Sequence, residues 1–338
     1  MPKRLAVVCV VALLVLAGVV YEVATNSASS GTSAGVAPGG RNCGNKHRTC
    51  SPSPTPTSPK PTVSGSTTPV PPSAGRKVMV IIEENHSRTE AMANMPHLAA
   101  WASRYGQATH YTAMTHPSLP NYLAIGGGST FGVTDDNPPS SHPISGASVF
   151  GQTLAAGKTA KVYAESMPTN CALTNSGSYA VRHNEWTYFS AATERSGCNA
   201  NNRPMGTTSS GNLVSDINAG KLPVTGQMTP NLCNDAHNCS LATADAWFHQ
   251  RMQQVFNGPD WQAGRLAVIL TADEAGKGVP TNNVLSVVIH PSQNATVVTT
   301  PLNHYSLTRL CEDVAHATYL GNAATAPSLS DAFGLPIG

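Results

Sequence analysis

Apolar residues along this chain fall into two alternating patterns. Short continuous runs read as buried strands: residues 77–83 (KVMVIIE), 161–164, 266–270 and 284–289. Between them, apolar positions recur at helical spacing over residues 96–105, where Pro96 opens the first turn, and over 119–125, which the run GGGS ends. Residues 149–156, 241–256 and 305–319 read the same way. Residues 165–240 break both patterns. They are rich in Asn, Ser, Thr and Gly and read as long loops stapled by cysteines. Strands alternating with helices predict an α/β domain built on a largely parallel sheet. Such sheets gather ligands at the carboxyl ends of their strands.

The beginning of the chain has a different grammar. Lys3 and Arg4 precede an apolar run from Leu5 to Tyr21, the pattern of an export signal. The run lies at the lower limit of a membrane span. Residues 1–28 are read as a signal peptide cut near Ala24 or Ala28, or as an anchor retained in the cell membrane. Residues 29–75, crowded with Ser, Thr, Pro and Gly, cannot bury apolar surface and read as a disordered linker. The working domain is residues 76–338, expected to be secreted or extracellular. Export favours disulfides. Of eight cysteines, Cys9 lies inside the apolar run. Local spacing pairs Cys43 with Cys50, Cys171 with Cys198 and Cys233 with Cys239. Cys311, inside a helical pattern, is left as a buried free thiol.

Charge narrows the functional classes. Only 11% of residues are Asp, Glu, Lys or Arg, and the formal net charge is +2. An average soluble domain carries about 25% charged residues. A nucleic-acid binder working through a broad basic face is excluded. The expectation is a monomer whose partner is a small molecule or lipid.

Five polar clusters sit at the ends of expected elements. Glu83, Glu84, Asn85 and His86 follow the first strand. Buried carboxylates need a partner, which here is a metal, an Arg, a helix N-terminus or a simple capped turn. Thr115 to Tyr122 (THPSLPNY) places Ser118 where a helix begins. That position suits a nucleophile attacking a phosphate held by the helix N-terminus, and equally an ordinary Ser cap. A loop closed by Cys233 and Cys239 carries Asp235 and His237, either aimed at a site or merely solvated. Asp273 and Glu274 follow another strand, and adjacent carboxylates that both serve a site point to a cation. Asn303 and His304 precede the last helix. No CxxC pair is present, so a thiolate zinc site is not expected.

The segments IIEENHS, THPSLPNYLAIGGGS, PNLCNDAHNCSLATADAW, LTADE and NHYSLTRLCED occur in that order. Together they resemble the bacterial phosphoesterase family of non-haemolytic phospholipases C and secreted acid phosphatases, including the phosphatidylinositol 3-phosphate phosphatase type. The resemblance covers residues 77–335 and implies an alkaline-phosphatase-like fold with metal-assisted phosphoryl transfer. It implies Ser118 as nucleophile and Asn121 as a holder of phosphate oxygens. Glu84, Asn85, Ser118, Asp273 and Glu274 become metal ligands. Asp235, His237 and His304 take second-metal or phosphate-binding positions, with His237 or His304 protonating the leaving group. His116 and His183 are expected to line the pocket.

One departure bears on the metal. Two-zinc members of that superfamily pair Asp with His where this chain has Asp273-Glu274. An oxygen-rich site favours Ca²⁺, Mg²⁺ or Mn²⁺ over Zn²⁺, one or two per chain. The expected function is a secreted phosphomonoesterase acting through a phosphoserine. The alternatives are a phospholipase C-type phosphodiesterase and a non-catalytic surface protein on the same fold.

Overall fold

A computed structural model describes residues 76–337. The expected signal or anchor, the linker and the Cys43–Cys50 pair lie outside the described residues. Among the described residues there are ten strands: β1 (Lys77–Glu83), β2 (Gly106–Ala108), β3 (Tyr111–Thr112), β4 (Ala160–Ala164), β5 (Asn202–Pro204), β6 (Thr225–Thr229), β7 (Leu266–Ala272), β8 (Ser286–Ile289), β9 (Thr296–Val298) and β10 (Leu302–Asn303). Eight of them form one sheet in the order β5-β4-β6-β1-β7-β8-β2-β9. Only β8 runs against its neighbours; the other ladders of the sheet are parallel. The expected α/β class and largely parallel sheet are therefore present.

The helices are α1 (Arg88–Asn94), α2 (Pro96–Arg104), α3 (Ser118–Gly127), α4 (Val149–Ala155), α5 (Ala192–Asn201), α6 (Asn212–Asn218), α7 (Leu241–Asn257), α8 (Pro259–Gln262), α9 (His304–Ala315) and α10 (Leu329–Phe333). They cover both faces of the sheet, so the central strands are apolar almost throughout. Along β1, Val78, Val80 and Ile82 pack with residues of α3, α4 and α9, while Met79 and Ile81 pack with residues of α2 and α7. This alternation is the period-2 geometry of a strand. Among the described residues no helix is long and apolar enough to cross a membrane.

The stretch read as long loops contains more structure than expected. It includes α5, α6, two short 3-10 turns and, above all, β6. Strand β6 (TGQMT) is fully buried between β1 and β4. Its polar side chains find partners within the strand and on other elements. Thr153 Oγ1 donates to Thr225 Oγ1 at 2.9 Å, and Gln227 Nε2 donates to Glu185 at 3.0 Å and to Thr229 Oγ1 at 3.1 Å. The staples are as expected: Cys171 bonds Cys198, Cys233 bonds Cys239, and Cys311 is free and buried.

Candidate active site

The central strand β1 delivers Glu84 one residue beyond its carboxyl end. Neighbouring strands tie their exits to it. Glu84 N–H donates to Asp235 O at 2.8 Å, and Asp273 N–H donates to Glu83 O at 3.0 Å. Continuing the strand alternation turns Glu84 and Asp273 toward the α3 face of the sheet, whereas Glu83 belongs to the opposite face.

Helix α3 meets this edge end-on. Its N-cap is Pro117, which makes no side-chain cap, and Ser118 is its first residue. The reading of Ser118 as a plain cap is thereby set aside. Its hydroxyl donates instead to Glu84 Oε2 at 3.0 Å. One turn later Tyr122 donates its phenol to Glu84 Oε1 at 2.6 Å. Positions four apart share a helix face, so one carboxylate receives two donors from α3. Tyr122 also stacks on the His183 ring, with centroids 5.1 Å apart and planes 6° from parallel.

His183 is buried and bridges two carboxylates. Its Nδ1 lies 3.1 Å from Asp235 Oδ2 and its Nε2 lies 3.2 Å from Glu84 Oε1. The second contact lacks hydrogen-bond geometry, so Nε2 is a buried nitrogen without a hydrogen-bonding partner. Asp273 Oδ1 accepts from Asn85 N–H at 3.1 Å, with Asn85 held at φ 53°. Asp273 Oδ2 and Asn85 Oδ1 are buried and unpartnered as well. Asn121, also buried, braces the loop before α3. Its Oδ1 accepts from Met114 N–H and Thr115 N–H, and its Nδ2 donates to Thr115 O and Pro117 O. Glu274 meets His116 Nδ1 at 2.8 Å at the mouth, where His116 is partly exposed.

Two expected histidines lie away from the centre. His304 is buried beneath it, with Nε2 2.6 Å from Asp273 O and Nδ1 3.2 Å from Tyr111 Oη. His237 is exposed at the rim. Its Nδ1 meets Asn238 Oδ1 at 2.7 Å and its Nε2 meets Arg182 Nη2 at 3.0 Å. Arg182 and Tyr122 were not singled out from the sequence. Tyr122 sits inside THPSLPNY at helical spacing from Ser118, which is the signal that points to it. Nothing local in the sequence marks Arg182.

The electrostatics are those of a site short of positive charge. Burial, reinforced by the charges of Asp273 and Asp235, raises Glu84 well above the ordinary carboxylate range; the Tyr122 hydrogen bond only partly offsets this. Burial pushes Asp235 and Asp273 up to about 7. Glu274 rises to about 8, from burial and then from Asp273. Burial lowers His183 well below its usual value and His304 to about 4. Both imidazoles are therefore neutral ligands or acceptors at pH 7.

These residues fit a divalent cation. Donor atoms of Glu84, His183 and Asp235 lie within 4.8 Å of one another. Asp273 and Asn85 each keep a buried oxygen without a partner, the Asp273 charge acts on Glu84, and a cation compensates crowded carboxylates directly. The set brings in the imidazole nitrogen of His183, which the oxygen-rich expectation had assigned to lining the pocket.

A family model for the phosphoesterase family matches residues 91–316. The chain belongs to the phosphoesterase family. This phosphoesterase is 26% identical over 265 residues to a phosphatidylinositol-3-phosphatase of Mycobacterium tuberculosis, covering 76% of this chain and 82% of that one. It is 28% identical over 192 residues to a phosphate-repressible acid phosphatase of Penicillium chrysogenum, covering 54% of this chain but only 44% of the fungal one. A protein of the alkaline phosphatase superfamily from Vibrio parahaemolyticus shares the fold, with a TM-score of 0.52, 11% identity, and coverage of 75% of this chain and 71% of that one. The expected alkaline-phosphatase-like architecture is thus present in this phosphoesterase.

Proposed function

We propose that this chain is a metal-dependent phosphomonoesterase, secreted or extracellular, that acts on small-molecule or lipid phosphate esters through Ser118. The observation that carries the reading is the Ser118 hydroxyl on the first turn of α3, 3.0 Å from Glu84 within a buried carboxylate and imidazole cluster. A structural serine has no use for that company. The relatives named as phosphatases and the two disulfides support the substrate class and an oxidising location.

Glu84, Asp235, His183, Asp273 and Asn85 would hold the divalent cation. When bound, it supplies positive charge for phosphate oxygens and favours the deprotonated serine. The protein's own contributions follow from the geometry. Glu84 orients the Ser118 hydroxyl through Oε2, and Tyr122 fixes Glu84 through Oε1. Attack by Ser118 Oγ on phosphorus forms a phosphoserine and releases the alcohol; water then hydrolyses the ester. Asn121 keeps the 114–117 loop closed against α3. His304 has both ring nitrogens engaged below the site, and the His237 Nε2 faces Arg182. His116, oriented by Glu274 at the mouth, is the imidazole placed to protonate the leaving oxygen.

The test is hydrolysis of p-nitrophenyl phosphate against its phosphorylcholine diester, with Ca²⁺, Mg²⁺ or Mn²⁺ supplied to the full chain. Turnover of the monoester, with phosphate trapped on Ser118 in acid-quenched protein, is expected. Preference for the diester makes the enzyme a phosphodiesterase, and no turnover with any of the three ions refutes catalysis.

A further inference from the structure

Resting on the phosphomonoesterase reading, we infer that Arg182 is the side chain that grips the phosphoryl group, and that Asp136 is the internal anion whose place that group takes. The centre contains Glu84, Asp235, Asp273 and Glu274, and a phosphate monoester brings up to two further negative charges. Side-chain positive charge is the complement such a set calls for. Arg182 is the guanidinium whose positive charge is felt at both Glu84 and Asp235.

Its bonding is incomplete. One arm, Nη2, meets His237 Nε2 at 3.0 Å. The Nε–H is buried and makes no hydrogen bond. The nearest acid is Asp136, whose Oδ2 is 3.9 Å away, too long for a hydrogen bond and partly exposed. Asp136 is not free to move closer, because its Oδ1 accepts the N–H of Leu119 at 2.9 Å. Leu119 directly follows the nucleophile. One carboxylate therefore stands between the first turn of α3 and an undersatisfied guanidinium, beside Ser118. A phosphate oxygen replacing it gains both donors and carries more charge than the carboxylate did. The planar fork of arginine suits that exchange.

Binding of inorganic phosphate to the Mn²⁺-loaded full chain, measured by calorimetry, separates this from catalysis. Arg182→Gln should weaken phosphate binding about tenfold to a hundredfold, the worth of one charged hydrogen bond. Arg182→Lys should recover part of the loss. Asp136→Asn should tighten phosphate binding several-fold, since its amide competes less well for Arg182. Manganese affinity and melting temperature report separately that the variants fold and load metal. Unchanged phosphate binding in Arg182→Gln overturns the inference, as does weakening in Asp136→Asn equal to that in Arg182→Gln, which would make Asp136 a helix brace only. Wild-type protein that binds no phosphate overturns it too. Phosphate binding with the expected variant pattern but no ester hydrolysis would leave the inference standing and remove the phosphomonoesterase reading.

Discussion

Removing the two disulfides one at a time should give opposite rankings for stability and for activity. The Cys171–Cys198 bridge closes a separation of 27 residues and Cys233–Cys239 one of 6. In the chain-entropy account, constraint of the unfolded state grows with the logarithm of loop length, giving about 3.6 kcal/mol for the first and about 2.2 kcal/mol for the second at 25 °C. For a domain of this size those values correspond to melting temperatures lower by about 7–14 °C and about 4–9 °C. Activity should rank the other way. The short loop carries Asp235, whose carbonyl receives Glu84 N–H and whose carboxylate meets His183. Freeing it displaces two members of the site by a fraction of an ångström or more, and such misplacement costs about a hundredfold in rate. Paired Cys→Ala variants avoid burying a hydroxyl. Scanning calorimetry under non-reducing conditions gives the stability order. Turnover of p-nitrophenyl phosphate per folded molecule, well below either melting point, gives the activity order. If Cys233→Ala with Cys239→Ala retains near-normal turnover while Cys171→Ala with Cys198→Ala loses it, the argument that the short staple positions Asp235 is wrong.

Other perturbations have outcomes that differ in kind. Ser118→Ala should lower kcat at least about 10³-fold while metal content, by elemental analysis, is unchanged. Tyr122→Phe leaves a buried Glu84 oxygen short of a donor and should destabilise the fold by about 1–3 kcal/mol in a denaturant titration. Asp273→Ala should weaken Mn²⁺ affinity at least tenfold by equilibrium dialysis, and chelation of the wild type should abolish turnover reversibly. Glu312, held up to about 8 mainly by burial, is protonated in the fold at neutral pH. Its contribution is complete below about pH 4.5, the unfolded value, and is lost as pH rises toward 8. Glu312→Gln should therefore match the wild type in melting temperature near pH 5 and exceed it near pH 8, with its side-chain oxygen still accepting Leu320 N–H.

The parts of the fold and site that could be read from the sequence are those whose physics is local. Strands β1 and β7 carry unbroken apolar runs over residues 78–82 and 266–270, and the acids that follow are conspicuous against them. Ser118 was marked by a helix start. Strand β6 was invisible because TGQMT carries no apolar run. Its burial depends on Thr153 and Glu185 being brought to it by other elements. The pairing of His183 with Asp235, and the approach of Arg182 to both His237 and Asp136, are likewise long-range events that no spacing rule reports. His304 lies beneath the cluster and His237 at its rim, and which of their nitrogens remain available depends on Asp273 O, Tyr111, Asn238 and Arg182.

The strand that starts the domain is also the middle of its sheet. Strand β1 hydrogen-bonds to β6 and β7, whose residues follow it by roughly 150 and 190 positions in the chain. During synthesis its two apolar faces and both edges wait for partners that have not yet been made, and pairing over such distances is slow. The donors of the site are dispersed in the same way, at residues 84, 118, 183, 235 and 273. No shorter nascent segment contains both the serine and its full set of acids. On the proposed reading of the site, catalytic competence therefore arises late, when β7 docks beside β1 and carries Asp273 to Glu84. A chain interrupted before that event would be a folding intermediate and not a weak phosphatase.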